Sequence, residues 1–546
     1  MKLEAWIREQ REPVRDLVKQ VREGDISKRE FIALASTFGA SAAFSYGVLG
    51  MPRPAMAQSD GKMGGTLKVG MRILDLKDPR TWDWTEPANV GRQFMEPLVR
   101  WDMDFSFTGM LAESWEVSDD VKTYTLRLRQ GVTWNNGDDF TSEDVLFNIA
   151  RWCDKSAEGN SMAARMAALI DEDTGQMRDG AVVALDDHTV QLNLLDPDIS
   201  LIAGMIDYPG LIAHRSYDPA TGLVASPIGT GPFELDEYEI GVKASVNRRT
   251  NGSWWGGEVF LDRVEFIDYG TDQAALMAAF ESEEIHMNDQ SIGEFIEVFD
   301  GLGLIKKSKA TASTICARMR PDSSPLDVKE VRNAVQMAVD NAVVLELGFN
   351  NNGSVAENHH MGPMHPEYAE LPAVPHDPAK ALEMLKAAGH EETEIELISI
   401  DGDWRTATTD AIGAQLRSAG FNIKRTVIPG ATFWNDWTKY PFSTTNWGAR
   451  PLGVQVYALA YRSGEAWNES GHENPEFDAK LAEAMGVFDA GARSEIMAEL
   501  QAMLQDSGAM IQPFWANETM HHVEAVKNIE RHQFREMHFE KVWLDA

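Results

Sequence analysis

The sequence predicts a large α/β protein with more than one lobe and a parallel sheet in its second half. Residues 395–400, 408–419 and 421–428 have the patterns of a strand, a helix and a strand in that order. Because parallel strands need a crossover connection, usually a helix, this βαβ unit predicts a parallel sheet. The chain has 546 residues, 43% of them hydrophobic. That length is enough for two or more lobes with their own cores.

The first strand of the body is predicted at Gly65–Gly70, after a glycine-rich joint, and a loop with two tryptophans follows it. Further along, Tyr124, Leu126 and Leu128 alternate with polar residues, which is typical of a half-buried strand. Thr141 is the predicted N-cap of a helix that ends near Trp152. Its hydroxyl is placed to accept a hydrogen bond from a free backbone N–H near Asp144.

The second half contains strong helix boundaries. Asp377 is a natural N-cap, Pro378 suits the first helical position, and Gly389 suits the residue after the last turn. Later residues predict two more helices and a strand, at 475–488, 492–505 and 510–515.

The N-terminus has the pattern of an export signal. Lys28-Arg29 precedes a mildly apolar run at 31–49, and Ala55-Met56-Ala57 is a small-x-small cleavage site. The basic pair is similar to a twin-arginine signal in which lysine replaces the first arginine, so both the Tat and the Sec route stay open. The alternative is an uncleaved membrane anchor, but five polar or small residues interrupt the run. Residues 1–26 have apolar residues at helical spacing, which predicts a short amphipathic helix.

The charge of the chain is strongly acidic. The formal net charge is -35, and a body this acidic repels nucleic acid and anionic membranes, so we expect no nucleic-acid partner. The two cysteines, Cys153 and Cys316, are too few for a metal cluster. We expect two free buried thiols, although a single disulfide stays open.

The sequence lacks the motifs of common enzymes. It contains no G-x-S-x-G, no H-E-x-x-H and no phosphate-binding G-x-x-x-x-G-K-[ST]. One histidine cluster is present, formed by His359, His360 and His365. It can be interpreted either as a metal site or as a polar loop at the rim of a cleft. The spacing of the three histidines fits no standard set of metal ligands. We expect no catalytic residues, no metal and no cofactor.

Five segments in order carry a resemblance to a known family. The segment at 96–151 contains GMLAESWEVSDDVKTYTLRLRQGVTWNNGDDFTSEDVLFNIAR, and residues 228–233 read IGTGPF. The others are NRRTNGSWWGG at 247–257, DVKEVRNAVQMAVD at 327–340 and HDPAKALEMLKAAG at 376–389. Together they resemble the extracytoplasmic solute-binding proteins of bacterial ABC importers, in the peptide/opine/nickel-binding family (family 5). The resemblance extends from about residue 64 to about residue 520.

The resemblance implies a two-lobe periplasmic-binding-protein fold of the large, three-subdomain type, with a ligand cleft between lobes joined by hinge strands. We expect the crossing strands near residues 310–316 and 508–515. The expected domains are an export signal at 1–57, lobe I at 64–313 with an inserted segment at about 103–225, lobe II at 314–509, and a C-terminal return to lobe I at 510–546.

The resemblance also implies a function and partners. We expect a monomer in the periplasm, cleaved near Ala57, that delivers a small solute such as a peptide or an opine to ABC permease subunits in the inner membrane. Two alternatives stay open: a receptor that feeds a chemotaxis or sensor protein, and an exported hydrolase on the same scaffold.

The predicted ligand wall is the aromatic stretch 433–451, which carries six aromatic residues in its first fifteen positions. An ordinary core is the alternative reading of such a stretch. In the family, a tryptophan in a GW-x-x-D segment lies at the ligand, and its aspartate binds the free ammonium group of a peptide. Trp447 matches that tryptophan, and Arg450 stands where the aspartate would be.

An arginine at that place suits an anionic group, because its guanidinium binds carboxylates and phosphates in a bidentate fork and repels ammonium. The sequence therefore predicts a solute with an anionic group near Arg450. The alternative is an internal salt bridge between Arg450 and an acid of the opposite lobe. Position in the family fold adds four more candidate ligand residues: Asn446, Trp434, Tyr457 and Trp82.

Overall fold

The structure is a computed structural model that describes residues 3–52, 61–487 and 489–545. Eighteen α-helices are found in these residues. The first nine are α1 Leu3–Glu9, α2 Glu12–Glu23, α3 Lys28–Thr37, α4 Ala42–Val48, α5 Thr85–Phe94, α6 Ser142–Trp152, α7 Met162–Arg165, α8 Leu201–Met205 and α9 Gln273–Glu281. The others are α10 Phe295–Gly301, α11 Lys329–Met337, α12 Asn341–Phe349, α13 Pro378–Ala387, α14 Asp403–Ser418, α15 Gly430–Phe433, α16 Gly453–Ala460, α17 Pro475–Gly486 and α18 Ala490–Ser507.

The same residues form twenty-two strands. The first eleven are β1 Thr66–Gly70, β2 Val99–Trp101, β3 Phe107–Gly109, β4 Ala112–Val117, β5 Thr123–Leu128, β6 Ile170–Asp171, β7 Gln176–Met177, β8 Val182–Asp186, β9 Thr189–Asn193, β10 Phe233–Glu239 and β11 Lys243–Arg248. The others are β12 Arg263–Ile267, β13 Met287–Asn288, β14 Ile305–Met319, β15 Gly353–Val355, β16 Ile395–Ile400, β17 Ile423–Ile428, β18 Phe442–Trp447, β19 Met510–Ile511, β20 Phe514–His522, β21 Val526–Lys527 and β22 Trp543–Leu544.

A mixed sheet of twelve strands runs through both lobes. Ten of them follow the order β10-β11-β12-β1-β13-β20-β14-β18-β16-β17, and in addition β15 pairs with β20 and β19 pairs with β14. The predicted βαβ unit is confirmed, since β16 and β17 pair in parallel and α14 connects them. The helix begins at Asp403 instead of residue 408, because Gly402 at the N-cap has a φ of 72° and turns the chain into the helix early.

The strands β14 and β20 join the two halves of the sheet. β14 pairs with β20 over its first part and with β18 over its second part, and the β14–β20 register shifts between Ala310 and Ser313. β14 contains the first segment in which we expect the lobes to be joined, 310–316, and the second, 508–515, contains β19 and the first two residues of β20. Their action as hinges stays a prediction, as do the domain boundaries.

A small antiparallel sheet, β4-β5-β9-β8, lies in the inserted segment. Tyr124, Leu126 and Leu128 of β5 are buried in it, as their alternation predicts. The helix α6 begins after Thr141, whose backbone N–H donates to the Asp144 carboxylate at 3.0 Å. Asp377 caps α13 by accepting from the Lys380 N–H at 2.9 Å.

The N-terminal helices pack against the inserted segment. The hydroxyl of Ser36 accepts from the Phe107 N–H, and the Trp115 indole donates to the carbonyl of Thr37, both at 2.9 Å. The predicted amphipathic helix occurs as α1 and α2, with Val14, Leu17 and Val18 of α2 buried. The Ala55-Met56-Ala57 motif lies outside the described residues. None of the helices in the described ranges combines the length and the apolar character needed to span a bilayer.

Both cysteines are free and buried, as expected. Cys153 follows α6, and Cys316 lies in β14. Burial raises the pKa of the Cys153 thiol to about 12, so that thiol is protonated and unreactive near neutral pH.

Candidate functional site

A cavity of about 880 Å³ lies between the lobes, and we call it the chamber. Nine aromatic side chains line it: Trp84, Tyr208, Phe349, Trp404, Trp434, Trp437, Trp447, Trp467 and Phe534. Pockets for small molecules are mostly apolar with a few placed polar groups, and the lining of the chamber has that composition.

Three tryptophans form a continuous wall of the chamber. The ring centroids of Trp437, Trp447 and Trp467 are 5.8 to 6.5 Å apart, in edge-to-face geometry. The Trp447 indole N–H donates to Glu469 at 2.7 Å, which fixes the ring. Edge-to-face packing of this kind stabilises rings beyond the burial of their area. The wall is therefore a rigid apolar surface.

Rings from opposite sides of the cleft meet across the chamber. Trp84, which precedes α5, contacts Trp434 with ring centroids 4.1 Å apart. Tyr208 of the inserted segment stacks on Trp467 at 6.2 Å. The structure is thus closed over the chamber.

Arg450 lines the chamber and is also part of a buried ion-pair group. Its Nε donates to Oδ2 of Asp207 at 2.9 Å, and Nε of Arg165 donates to the same oxygen at 2.9 Å. Burial alone raises the pKa of Asp207, but the two arginines outweigh it and lower that pKa. We call Arg165, Asp207 and Arg450 the buried triad. It matches the alternative in which Arg450 pairs with an acid from the opposite lobe.

Of the six sequence-predicted site residues, four line the chamber. Trp434, Asn446, Trp447 and Arg450 lie together on it. The amide oxygen of Asn446 accepts from Nε of Arg405 at 2.7 Å, and the Arg405 guanidinium lies 5.3 Å from the Trp404 ring centroid.

The other two predicted site residues are core residues, so those predictions are wrong in this structure. Trp82 is fully buried against Gly91 of α5, and its indole donates to the Lys77 carbonyl. Tyr457 is fully buried in α16, and its hydroxyl donates to the His359 carbonyl. The ring that reaches the chamber from the first loop is Trp84, two positions after Trp82.

The prediction also missed residues that the fold brings to the chamber. Trp467 lies in a polar loop between α16 and α17, and a lone large ring in such a loop is a usable sequence signal. Asp207 comes from a turn far away in the chain, and sequence spacing gave no signal for it.

A second cavity of about 510 Å³, which we call the annex, adjoins the chamber and shares Gln290, Arg405 and Arg535 with it. Charged side chains line it. Arg72 pairs with Glu86 at 2.6 Å, and Arg535 pairs with Asp289. Burial raises the pKa of Glu86, but Arg72 and Arg535 outweigh burial and lower it to about 2.

The histidine cluster does not rim the cleft, so that reading is wrong. His359, His360 and His365 are buried. His360 bonds to the Tyr461 hydroxyl at 2.6 Å, and burial lowers the pKa of His365 to about 3. Buried imidazoles with such partners are structural.

Within the described residues, one other group has the composition of a metal site: His532, Glu536 and His538. Its atoms are already engaged. His532 bonds to the Trp101 carbonyl at 2.7 Å, and Glu536 pairs with Arg92 at 3.1 Å. A cation beside Arg92 would be repelled, so this group does not fit a metal ion.

A family model, described as the middle part of the bacterial extracellular solute-binding proteins of family 5, matches residues 106–469. Among curated relatives, the di/tripeptide-binding protein 1 of Pseudomonas aeruginosa is 30% identical over 306 residues, which are 53% of this chain and 56% of that protein. The dipeptide-binding protein DppE of Bacillus subtilis is 23% identical over 90% of this chain and 96% of its own length.

Solved structures show the same fold. The agropinic-acid complex of the periplasmic binding protein AgaA from A. tumefaciens matches with a TM-score of 0.79 and 20% identity, over 88% of this chain and 99% of that one. The predicted two-lobe fold is confirmed, as is the prediction of a binding protein and not an enzyme. The chain belongs to family 5 of the bacterial extracellular solute-binding proteins, the substrate-binding proteins of ABC transporters.

Proposed function

We propose that this chain binds a small peptide-like or opine-like solute in the chamber, with an anionic group of the solute near Arg450, for import. The observation that carries the proposal is the buried triad at the chamber wall. Two guanidinium groups share one carboxylate oxygen there, so the three side chains together hold one net positive charge.

An anion in the chamber would reduce this excess charge. Closure of the cleft excludes water, which strengthens the attraction between an anionic group and fixed donors. The ion pair to Asp207 holds the Arg450 side chain in place, so the solute would meet a preorganised cation.

The rings suit the rest of such a solute. Nine aromatic side chains offer apolar contact to solutes of different shapes. The matched proteins fit this range: one is named for di- and tripeptides, and another was solved with agropinic acid.

The mature protein is proposed to act as a periplasmic monomer that delivers the solute to inner-membrane permease subunits. This requires cleavage near Ala57, which removes α1 to α4 and exposes the face of the inserted segment around Trp115 that they cover. N-terminal sequencing of the exported protein tests it. A mature chain that begins at Gln58 supports the proposal, and a chain that keeps residues 1–57 contradicts it.

The solute itself is best identified by native mass spectrometry of freshly purified protein. The role of Arg450 is tested with 3-phenylpropionate, a ring that carries a carboxylate and no ammonium. Arg450→Gln should weaken its binding by about tenfold or more, since a hydrogen bond to a charged group contributes roughly 1.5–3 kcal/mol. Asp207 keeps Arg165 as its partner in this variant, so folding should persist.

Arg127→Gln is the matched control, because Arg127 lies on β5 away from the chamber and its side chain is half exposed. This control should bind 3-phenylpropionate as the unmodified protein does. Equal affinity of Arg450→Gln and the unmodified protein, or no binding to either, would refute the anionic-group proposal.

A further inference from the structure

Asp83 is a carboxylate at the chamber wall. It lies directly before Trp84, and its backbone carbonyl accepts from the Tyr208 hydroxyl at 3.0 Å. Its carboxylate is 3.7 Å from Nζ of Lys77, longer than a direct hydrogen bond. Burial raises the pKa of Asp83, although Lys77, Arg165 and Trp467 partly offset this effect.

The other carboxylate that lines the chamber is fully engaged. Glu518 accepts from Nε2 of Gln290 at 2.9 Å and pairs with Arg531 at 3.1 Å. Asp83 and Glu518 are the acids on the described chamber surface. Asp83 is therefore the less engaged of the two acids, with Lys77 and Arg165 as the cations that act on it.

Aromatic rings surround Asp83. Trp84 is adjacent in the chain, Tyr208 bonds to its carbonyl, and Trp467 interacts with its carboxylate. Ring faces attract ammonium groups by about 0.5–2 kcal/mol, and a carboxylate adds a charge-assisted hydrogen bond.

We propose that Asp83 binds an ammonium group of the solute, so that the solute is a zwitterionic amino compound. Its cationic end would lie at Asp83 and its anionic end at Arg450, on either side of Trp467. The Arg450 guanidinium is 5.8 Å from the Trp467 ring centroid, which places both ends beside one ring. The ammonium site at Asp83 rests on the proposed function only in that the solute occupies the chamber, whereas the zwitterionic character of the solute also rests on the anionic group near Arg450.

The test uses 2-phenylethylammonium, which has the ring and chain of 3-phenylpropionate but the opposite charge. The unmodified protein should bind it in an NMR-detected titration. Asp83→Asn should weaken this binding at least tenfold. The same variant should bind 3-phenylpropionate at least as tightly as the unmodified protein does. Glu237→Gln is the control, because Glu237 lies on β10 in an exposed pair with Lys243 and the variant removes the same charge.

A second variant keeps the test valid if Asp83→Asn does not fold. Lys77→Met removes the ammonium group that lies 3.7 Å from the Asp83 carboxylate, on a side chain that is about half exposed, and it should tighten 2-phenylethylammonium binding several-fold. Lys243→Met is the control for this variant and should leave 2-phenylethylammonium binding unchanged. No binding of 2-phenylethylammonium to the unmodified protein, or equal affinity in the Asp83 and Lys77 variants, would overturn the ammonium site. Failure of 3-phenylpropionate alone would refute the anionic-group proposal and with it the zwitterionic solute, and would leave the ammonium site at Asp83 standing.

Discussion

The chamber and the annex are neighbouring parts of one cleft, but they are built from different side chains. The chamber is walled by nine rings, and its arginine at position 450 pairs with a carboxylate behind the rings. The annex is walled by charged side chains that pair with one another, such as Arg72 with the buried Glu86. They meet at Gln290, Arg405 and Arg535.

The difference separates two ways of placing charge near a solute. In the chamber, rings exclude water, so each fixed charge acts at short range in a poorly screened place. In the annex, positive and negative side chains alternate, so their charges cancel over a short distance. The annex should therefore accept polar groups of the solute without preference for either sign of charge. The chamber should therefore set which solutes bind, and the annex should tolerate variation.

The largest expected effect comes from breaking the buried triad. Asp207→Asn removes the carboxylate shared by Arg165 and Arg450, which leaves two buried cations without compensation. Breaking a buried ion pair in this way typically costs about 3–5 kcal/mol of unfolding free energy. Urea unfolding measures it. A loss below about 1 kcal/mol would show that water reaches the triad and that the chamber is not a poorly screened place.

The annex gives the next largest effect, and this one depends on pH. The folded-state pKa of Glu86 is about 2, below its ordinary value, so Glu86 stabilises the fold above pH 4.5 and loses that contribution as pH falls toward 2. Glu86→Gln should therefore lower the unfolding free energy by roughly 3 kcal/mol at pH 7 and by much less near pH 3. Urea unfolding at both pH values checks it. A penalty that stays constant with pH would contradict an ionic role for Glu86.

The smallest expected effect tests whether the annex contributes to the binding of an aromatic solute. Trp84→Leu removes a ring that faces Trp434 across the chamber, and should weaken 3-phenylpropionate about three- to tenfold, because an aromatic contact contributes about 0.5–1.5 kcal/mol. Tyr269→Leu removes a ring of the annex and should leave the affinity unchanged. Equal losses in the two variants would mean that the probe spans both cavities.

Much of the scaffold could be predicted because its signals are local. Asp377, Pro378 and Gly389 bound a helix by capping chemistry alone, and the β16-α14-β17 unit follows from apolar spacing. Trp447 and Arg450 could be placed on the chamber from sequence because they lie in one short aromatic stretch, in which Trp447 matches the tryptophan of a family motif and Arg450 departs from it.

The features that could not be predicted from sequence depend on packing between residues far apart in the chain. Nothing local distinguishes Trp82 from Trp84; Gly91 of α5 provides the space in which Trp82 packs. Tyr457 faces the core because the axial rotation of α16 is set by its neighbours. The pairing of Asp207 with Arg450 joins residues 243 positions apart, which no local pattern encodes.

The shared carboxylate of Asp207 also restricts how this binding site can evolve. A single change of Arg450 to aspartate, the residue that the resembled peptide receptors carry there, would place two buried carboxylates against each other with only Arg165 to offset them. Such a variant would lose several kcal/mol of stability before it gained a new ligand. A carboxylate at position 450 would thus require a compensating change at position 207.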